Sequence, residues 1–347
     1  MIDSLIKIAT DWQSPNYALR RQAIEEGAVE FRLSQENFTL ALDWIFSLWT
    51  EERISAALAK NPFKKSKYAV QILAGNTPAI IAQGFLQSAL LHIPQCIKVP
   101  CEQSIFAKLL QQSFKEKALP PFEMNAWQDN LSEFYTKLAQ ADLVIAYGQD
   151  ETLDTLKKYI SSHTTFICHG HAESAAILFK ESANRTYLEK LKYDMLSYDQ
   201  RGCLSPRMVF VEKGGELSPE MCAKIFAEEI LPPLAQQLPR GGLFDGEAAL
   251  ILHQRNVYGF RGQVYSGPDW TVCYAEKQPW PSHALPRFIP FMPFTHSEEL
   301  IEILDPVKNH LISLGCAGQK EKMDLFQKNF TARISPIGEM QRQLLIF

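Results

Sequence analysis

One cysteine of this sequence stands where a nucleophile would be presented. The run Asp199-Gln200-Arg201-Gly202-Cys203-Leu204-Ser205-Pro206 places Cys203 on a turn marked by glycine and proline, directly before an apolar, strand-like run over 207–211. A cysteine thiolate reacts in an exposed, polar setting, and the free backbone N–H groups of a turn can stabilise both the thiolate and an oxyanion. The alternative is a thiol with no role, since unpaired cysteine usually behaves as a small hydrophobic residue. Cys203 is therefore the first candidate for nucleophilic catalysis.

The composition limits the class of protein to which this cysteine belongs. The 347 residues are 46% hydrophobic, enough for two cores, and the net charge of -4 with scattered Lys and Arg argues against a nucleic-acid surface. No stretch approaches the ~18 apolar residues of a membrane span, and no secretory signal begins the chain. The seven cysteines are widely spaced without a CxxC pair, as is typical of free thiols in a reducing compartment. The sequence predicts a cytoplasmic protein without a membrane span that does not bind nucleic acid.

The elements that must position Cys203 are predicted to alternate between strand and helix. Residues 1–60 are predicted to be helical, and from Tyr68 an apolar run, a Gly75–Pro78 turn and a helix from Ala79 to about His92 form the first half of a βαβ unit. Further strands are predicted at 96–100, 142–148, 164–168, 208–212, 287–294, 311–316 and 332–336, and further helices at 104–118, 151–160, 218–237, 297–304 and 320–330. Such alternation predicts parallel sheets covered by helices on both faces.

The glycines do not form a standard nucleotide fingerprint. Neither GxGxxG nor GxxxxGK[ST] occurs in the sequence, which disfavours an ordinary Rossmann or P-loop site. A nicotinamide cofactor remains compatible with the chain if a helix N-terminus, rather than a glycine cradle, holds the phosphates.

Four motifs occur in the order and rough spacing of the aldehyde dehydrogenase superfamily: Gly75-Asn76-Thr77-Pro78, Cys96-Ile97-Lys98-Val99-Pro100, Tyr147-Gly148-Gln149-Asp150-Glu151-Thr152 and the run around Cys203. From about Tyr68 to Pro336 the chain resembles the acyl-CoA reductase (LuxC-like) branch. The resemblance implies an α/β, aldehyde-dehydrogenase-like fold of two Rossmann-like parallel-sheet domains with a helical N-terminal segment. The implied division is a helical segment over 1–60, a nucleotide-binding domain over 61–198, a catalytic domain over 199–318, and a C-terminal segment over 319–347 that returns to the nucleotide-binding domain or to a subunit interface.

The resemblance also implies roles for individual residues. Cys203 would accept the acyl group, and the Asn76 side-chain amide would stabilise the oxyanion, although Gly-Asn-Thr-Pro is also an ordinary turn. Lys98 falls where the family places a lysine against the adenosine ribose, although a strand-end lysine can simply reach for solvent. Gly148 matches a turn beside the cofactor phosphates. Glu276 lies near the place of a glutamate that contacts the nicotinamide ribose.

His169 is where the sequence departs from the dehydrogenase pattern. It occupies the position of the glutamate that activates water in hydrolytic aldehyde dehydrogenases, and an enzyme that exchanges its acyl group with a thiol does not need that water. Because imidazole titrates near neutral pH, His169 could act as a base toward Cys203 or as an acid toward the nascent aldehyde oxygen. A structural histidine is one alternative. A metal site with His171 is another, but without an identifiable third ligand it is weakly indicated, and we predict no metal.

These residues and the resemblance predict NADPH-dependent reduction of an acyl-CoA, with a fatty acyl chain, to the aldehyde through an acyl-cysteine. NAD is the alternative cofactor, a related acyl donor could replace acyl-CoA, and a homodimer is the expected assembly. Three other functions stay open: an aldehyde dehydrogenase or an acyl-phosphate reductase with the same cysteine, and a non-catalytic nucleotide- or acyl-binding family member. The last gains weight because 347 residues is short for the superfamily.

Overall fold

The computed structural model describes residues 1–63, 65–100, 104–127, 131–282 and 284–342. The chain forms two compact units. The first unit comprises Met1–Phe31 and Phe38–His171, and the second comprises Arg32–Asn37 and the chain from Ala172 to the last described residue, Arg342.

The N-terminal sixty residues are helical, as the sequence predicts. Their elements are α1 (Ile2–Gln13), α2 (Ala18–Gln22), a π-helical turn (Ala23–Gly27), a 3-10 turn (Ala28–Phe31), α3 (Gln35–Ser47) and α4 (Glu51–Lys60). The fully buried Trp12 of α1 donates a hydrogen bond from its indole N–H to Ser113 Oγ at 2.8 Å, and its ring stacks on Phe46 and meets the edge of Phe106. Because Ser113 and Phe106 lie on the helix that follows β2, the N-terminal helices share the core of the first unit.

The first unit contains a five-stranded parallel sheet. Its strands are β1 (Ala69–Ile72), β2 (Gln95–Lys98), β3 (Glu123–Asn125), β4 (Leu143–Tyr147) and β5 (Thr165–His169), in the order β3-β2-β1-β4-β5. The connecting helices are α5 (Pro78–Leu91), α6 (Ser104–Glu116), α7 (Leu131–Gln140) and α8 (Asp150–Lys157). All four β1 residues are buried, as expected for a central strand covered on both faces. The strand order reverses between β1 and β4, which makes this pair the topological switch point of the sheet.

The second unit contains a seven-stranded sheet. Its strands are β6 (Glu173–Leu178), β7 (Val209–Glu212), β8 (Gln263–Ser266), β9 (Thr271–Tyr274), β10 (Phe288–Phe294), β11 (Leu311–Ala317) and β12 (Arg333–Pro336), in the order β12-β11-β6-β7-β10-β9-β8. The helices are α9 (Arg185–Leu196), α10 (Pro219–Ile225), α11 (Leu231–Gln237), α12 (Glu247–Gly259), α13 (Ser297–Leu304) and α14 (Lys320–Asn329), with a π-helical turn (Phe226–Ile230) between α10 and α11. Strand β8 is antiparallel to β9, so the sheet is parallel except at one edge.

The two structural units divide the chain differently from the predicted domains. The second unit begins at Ala172, not at residue 199, because the fully buried strand β6 pairs with both β7 and β11. The described chain from 319 to 342 stays in this unit, where β12 pairs with β11, while the end of the predicted C-terminal segment, 343–347, lies outside the described residues. The functional names given to the predicted ranges remain predictions. Within the part of the chain that is described, no helix is long and apolar enough to cross a membrane.

Candidate active site

Cys203 follows a strained turn between α9 and β7 of the second unit. Three successive residues, Tyr198, Asp199 and Gln200, have φ angles of 54°, 52° and 62°, in the left-handed region that residues with a side chain seldom adopt. Such strain, on the order of 1–3 kcal/mol per residue, persists only where surrounding contacts hold it, and it clusters at functional sites. The rest of the unit must therefore brace this turn.

Asp199 provides the first brace. Its carboxylate is fully buried and pairs with the equally buried Arg287, whose Nε donates to Oδ1 at 2.8 Å and whose second terminal nitrogen lies 2.6 Å from the same oxygen. The Asn37 amide also donates to Oδ1, at 3.0 Å, and the Gly241 N–H donates to Oδ2 at 2.8 Å. Arg287 is held in turn by Asp269, 2.9 Å away. A buried charge pair with this many hydrogen bonds fixes one geometry for the turn.

Two glutamine side chains provide further braces. Gln200 Nε2 donates to the carbonyl oxygens of Pro206, at 2.8 Å, and Phe288, at 3.1 Å. Gln341 Nε2 donates to Ser205 Oγ at 2.7 Å. The turn is thereby tied to the start of β10 and to the C-terminal part of the described chain.

Cys203 is a half-buried residue with a free thiol. Burial raises its pKa above the ordinary cysteine value, whereas the backbone N–H groups of Cys203 and Leu204, which point at the sulfur, lower it. N–H donors gathered around a sulfur can also stabilise an oxyanion that forms beside it. A thiol held in this way can attack a carbonyl carbon once a base favours its ionised form.

The other described cysteines have different surroundings. Cys168 is exposed at the end of β5, and four more are buried: Cys96, Cys222, Cys273 and Cys316. All of these are free thiols, while Cys101 lies outside the described residues. Among the described side chains, no group of three His, Cys, Asp or Glu residues is placed to hold a metal ion. Cys203 therefore differs from the other five described cysteines in being partly exposed on a braced turn.

Four of the predicted site residues lie at one edge of the first sheet. Asn76 follows β1, Lys98 ends β2, Gly148 follows β4 and His169 ends β5. Because these strands are parallel, all four residues lie at the carboxyl edge, on both sides of the switch point between β1 and β4. In open α/β sheets, ligands bind outside the carboxyl ends of the strands at the switch point. This edge is the candidate cofactor site.

Asn76 is positioned by the start of α5. Its side chain is exposed, and the next residue, Thr77, is the extended N-cap of that helix. Pro78 begins the helix, where its missing N–H and fixed φ suit the first turn. A negative charge near Asn76 would meet the positive end of the α5 dipole as well as the side-chain amide.

His169 packs beside the turn that contains Gly148. Its ring stacks on Tyr147, with centroids 4.4 Å apart and planes 15° apart, and its carbonyl accepts a hydrogen bond from the Gly148 N–H at 3.1 Å. The turn after β5 is secured by Asp150, which accepts the His171 N–H at 3.0 Å. His169 is an exposed residue, but the protein atoms around its imidazole partly remove the ring from water. This desolvation lowers the pKa of His169. A lowered pKa keeps the imidazole neutral at neutral pH, which suits proton acceptance.

Lys98 lines a pocket of about 400 Å³ beside α8. Its Nζ lies 5.8 Å from the centroid of the buried Phe134 ring. The other lining residues come from β1, α7 and α8: Ile72, Leu131, Tyr135, Glu151, Thr152, Thr155 and Leu156. The apolar faces suit a planar base, and the cation suits a phosphate, so these residues fit the adenosine end of a nicotinamide dinucleotide.

The structure does not bring Glu276 and Cys203 together through the second sheet. Cys203 precedes β7 at the amino edge, whereas Glu276 follows β9 at the carboxyl edge, and both strands are parallel to β10. Strand β10 has seven residues, so the two edges are separated by about 20 Å. Glu276 instead accepts a hydrogen bond from the Tyr274 hydroxyl at 2.5 Å and pairs with Lys213 at 2.9 Å. This geometry does not support the prediction that Glu276 contacts the nicotinamide ribose.

Sequence reasoning did not find the residues that brace the turn. Asn37 and Arg287 are distant in the chain from Asp199, and no local pattern links them to it. Gly241 lies in the loop after α11, where its N–H reaches the buried Asp199, and a Cβ at this position would clash with the Arg32 carbonyl oxygen. The two adjacent glycines at 241 and 242 were the available signal for such a close backbone approach.

The two sheet-containing units, with a cysteine on a braced turn before the central strand of the second, have the aldehyde dehydrogenase fold. Solved structures agree with this fold class. The chain is similar to succinic semialdehyde dehydrogenase from Streptococcus pyogenes in complex with NADP+ (TM-score 0.69, 12% identity, covering 97% of this chain and 82% of that one). It is also similar to NADP-dependent glyceraldehyde-3-phosphate dehydrogenase from Bacillus halodurans C-125 (TM-score 0.68, 11% identity, covering 97% and 78%). The predicted fold class is confirmed.

The chain belongs to the acyl-CoA reductase (LuxC) family, whose sequence profile matches residues 61–344. Relatives include the long-chain acyl-protein thioester reductases of Aliivibrio fischeri (22% identity, covering 90% of this chain and 71% of that protein) and Vibrio harveyi (20% identity, covering 97% and 76%). The chain is therefore an oxidoreductase that acts on acyl or aldehyde groups, and the predicted family is confirmed.

Proposed function

We propose that this protein reduces a fatty acyl-CoA to the aldehyde, with Cys203 as the acyl-accepting nucleophile and NADPH as the reductant. The observation that carries the proposal is the Cys203 turn, which offers a half-buried free cysteine, two backbone N–H groups directed at its sulfur and a buried ion pair that fixes the conformation of the turn. Family membership supports the acyl substrate and the aldehyde product.

The chemistry divides into two steps. The Cys203 thiolate attacks the thioester carbonyl, a new C–S bond forms, and the CoA thiolate leaves and takes a proton. The backbone N–H groups at Cys203 and Leu204 stabilise the oxyanion of this step, and the family resemblance adds the Asn76 amide. Bound NADPH would supply the hydride that converts the acyl-cysteine to aldehyde. The Cys203 sulfur then departs as thiolate and is ready for another acyl group.

The lowered pKa of His169 supports a base rather than an acid at that position. A neutral imidazole can accept the thiol proton of Cys203 before attack, which offsets the effect of burial on the thiol. The absence of a glutamate at this position supports transfer between thiols over hydrolysis to an acid.

The identity of the acyl donor is the most specific part of the proposal. Relatives are named acyl-protein thioester reductases, so an acyl group carried on a protein thiol is the second candidate donor. Both donors present the same carbonyl to Cys203 and release a thiol of similar stability, so the chemistry at the cysteine is shared.

The experiment that tests the function follows absorbance at 340 nm with NADPH and acyl-CoAs of increasing chain length. We expect oxidation that requires the acyl-CoA and peaks at one chain-length class, with a stoichiometric aldehyde product. Acid formed from free aldehyde without CoA would favour a hydrolytic dehydrogenase. A flat trace with every acyl-CoA, together with turnover of an acyl-phosphate, would overturn the thioester assignment.

Lys98→Ala is expected to weaken NADPH binding by about tenfold or more and NADH binding much less, since a lysine cation contacts the extra phosphate more strongly than a hydroxyl. The measurement is cofactor titration by fluorescence. Lys67→Ala is the matched control, because this exposed lysine precedes β1 at the opposite edge of the sheet, where its backbone N–H donates a hydrogen bond to Asp142. Equal NADPH affinity in the two variants would remove Lys98 from the cofactor site.

A further inference from the structure

A buried serine on the strand beside β7 holds the peptide that follows Cys203. The Ser174 hydroxyl, on β6, donates a hydrogen bond to the carbonyl oxygen of Cys203 at 2.8 Å. Ser174 has no exposed surface. Neither the family pattern nor the proposed reaction gives Ser174 a part.

Peptide geometry links this hydrogen bond to the cysteine sulfur. The Cys203 carbonyl and the Leu204 N–H belong to one planar, trans peptide unit, so they point in opposite directions. The Leu204 N–H is one of the two backbone donors directed at the sulfur. A donor that holds the carbonyl oxygen on the β6 side therefore keeps the Leu204 N–H aimed at the sulfur.

We propose that Ser174 is a positioning residue for the nucleophile, which orients the Cys203–Leu204 peptide so that its N–H stabilises the Cys203 thiolate. The inference rests on the proposed function only in taking Cys203 as the nucleophile. Ser174 itself touches no substrate. It acts on Cys203 by stabilising the ionised sulfur at the amino edge of the sheet.

The neighbouring strand supplies a matched control. Ser313 on β11 is the register partner of Ser174 on β6, and it is equally buried. Among the described residues, the Ser313 hydroxyl has no hydrogen-bond partner. Ser174→Ala and Ser313→Ala therefore remove the same atom from adjacent positions of one sheet, but only Ser174→Ala removes a contact to the Cys203 loop.

The test is the pH dependence of Cys203 alkylation by iodoacetamide in the full-length protein. The modified Cys203 peptide is quantified by mass spectrometry, because the exposed Cys168 also reacts. Losing a donor to the thiolate disfavours the ionised form, so Ser174→Ala should move the midpoint of the rate profile up by about half to one pH unit. At pH values below the midpoint, alkylation should slow by about three- to tenfold.

Ser174→Thr, which keeps the hydroxyl, should restore the midpoint, and Ser313→Ala should not move it. If Ser174→Ala does not fold, Ser174→Cys makes the same comparison, since it keeps nearly the same volume but replaces the hydroxyl with a weak donor. A folded Ser174→Ala protein with the wild-type midpoint would overturn the inference, as would an equal shift in Ser313→Ala. A shifted midpoint in a protein that reduces no acyl-CoA would refute the proposed function and leave the inference standing.

Discussion

Cys203→Ala is expected to abolish both the covalent transfer of an acyl group to the protein and the acyl-dependent oxidation of NADPH. The proposed reaction passes through a bond between the acyl carbon and this sulfur, and alanine offers no nucleophile in its place. Loss of a nucleophile usually lowers turnover by several powers of ten, so a fall of at least ~10³-fold is expected. Labelling with an alkyne-tagged acyl-CoA, followed by peptide mapping, measures the first effect, and absorbance at 340 nm measures the second.

Cys168→Ala is the matched control for this experiment. Cys168 is the exposed member of the described cysteines, so it is the thiol that would be labelled by a merely reactive acyl-CoA. The control variant should keep acyl labelling at Cys203 and the wild-type rate of reduction. Persistent labelling of Cys203→Ala, lost in Cys168→Ala, would move the nucleophile to the exposed thiol and contradict the proposal.

The alternation of strand and helix could be predicted because most strands carry their signal locally. Strands such as β4 and β10 are continuous apolar runs, and a fully buried parallel strand needs no other pattern. Strand β6 was not predicted because it begins with Glu173 and Ser174, directly after a His-Gly-His run that is typical of a loop. Helix α12 was not predicted either, for a different reason: its sequence has almost no amphipathic pattern and follows a stretch rich in glycine.

The candidate site was predictable to the extent that it is local. The turn around Cys203 carries its own glycine and proline, and the residues after β1, β2, β4 and β5 reach one sheet edge by topology alone. The residues that brace the turn could not be predicted, because Arg287 contacts Asp199 across 88 residues of sequence and Asn37 contacts Tyr198 across 161. Contacts at such separations are fixed by tertiary packing, and a single sequence contains no local record of them.

Breaking the buried Asp199–Arg287 pair should strongly destabilise the second unit. Arg287→Ala is expected to lower the free energy of unfolding by about 3–5 kcal/mol, because it leaves the Asp199 carboxylate buried without its cation. Both side chains have no exposed surface, so water cannot replace the lost partner. Denaturant unfolding followed by circular dichroism measures the change, and Cys203 alkylation in the native variant should also slow, since the strained turn loses its main brace.

An exposed ion pair of the same unit tests whether burial is the reason for the large loss of stability expected in Arg287→Ala. Arg185 pairs with Glu229, and about half of each side chain is exposed. Arg185→Ala should therefore lower the free energy of unfolding by less than about 1 kcal/mol.

A double variant tests the coupling within the buried pair. Asp199→Asn/Arg287→Met should be less destabilised than the sum of Asp199→Asn and Arg287→Met, because each single variant leaves a buried charge without its partner and the double variant leaves none. Equal losses in Arg287→Ala and Arg185→Ala, or strict additivity in the double variant, would mean that the buried pair does not hold the turn, and that the left-handed conformation of residues 198–200 is maintained by packing alone.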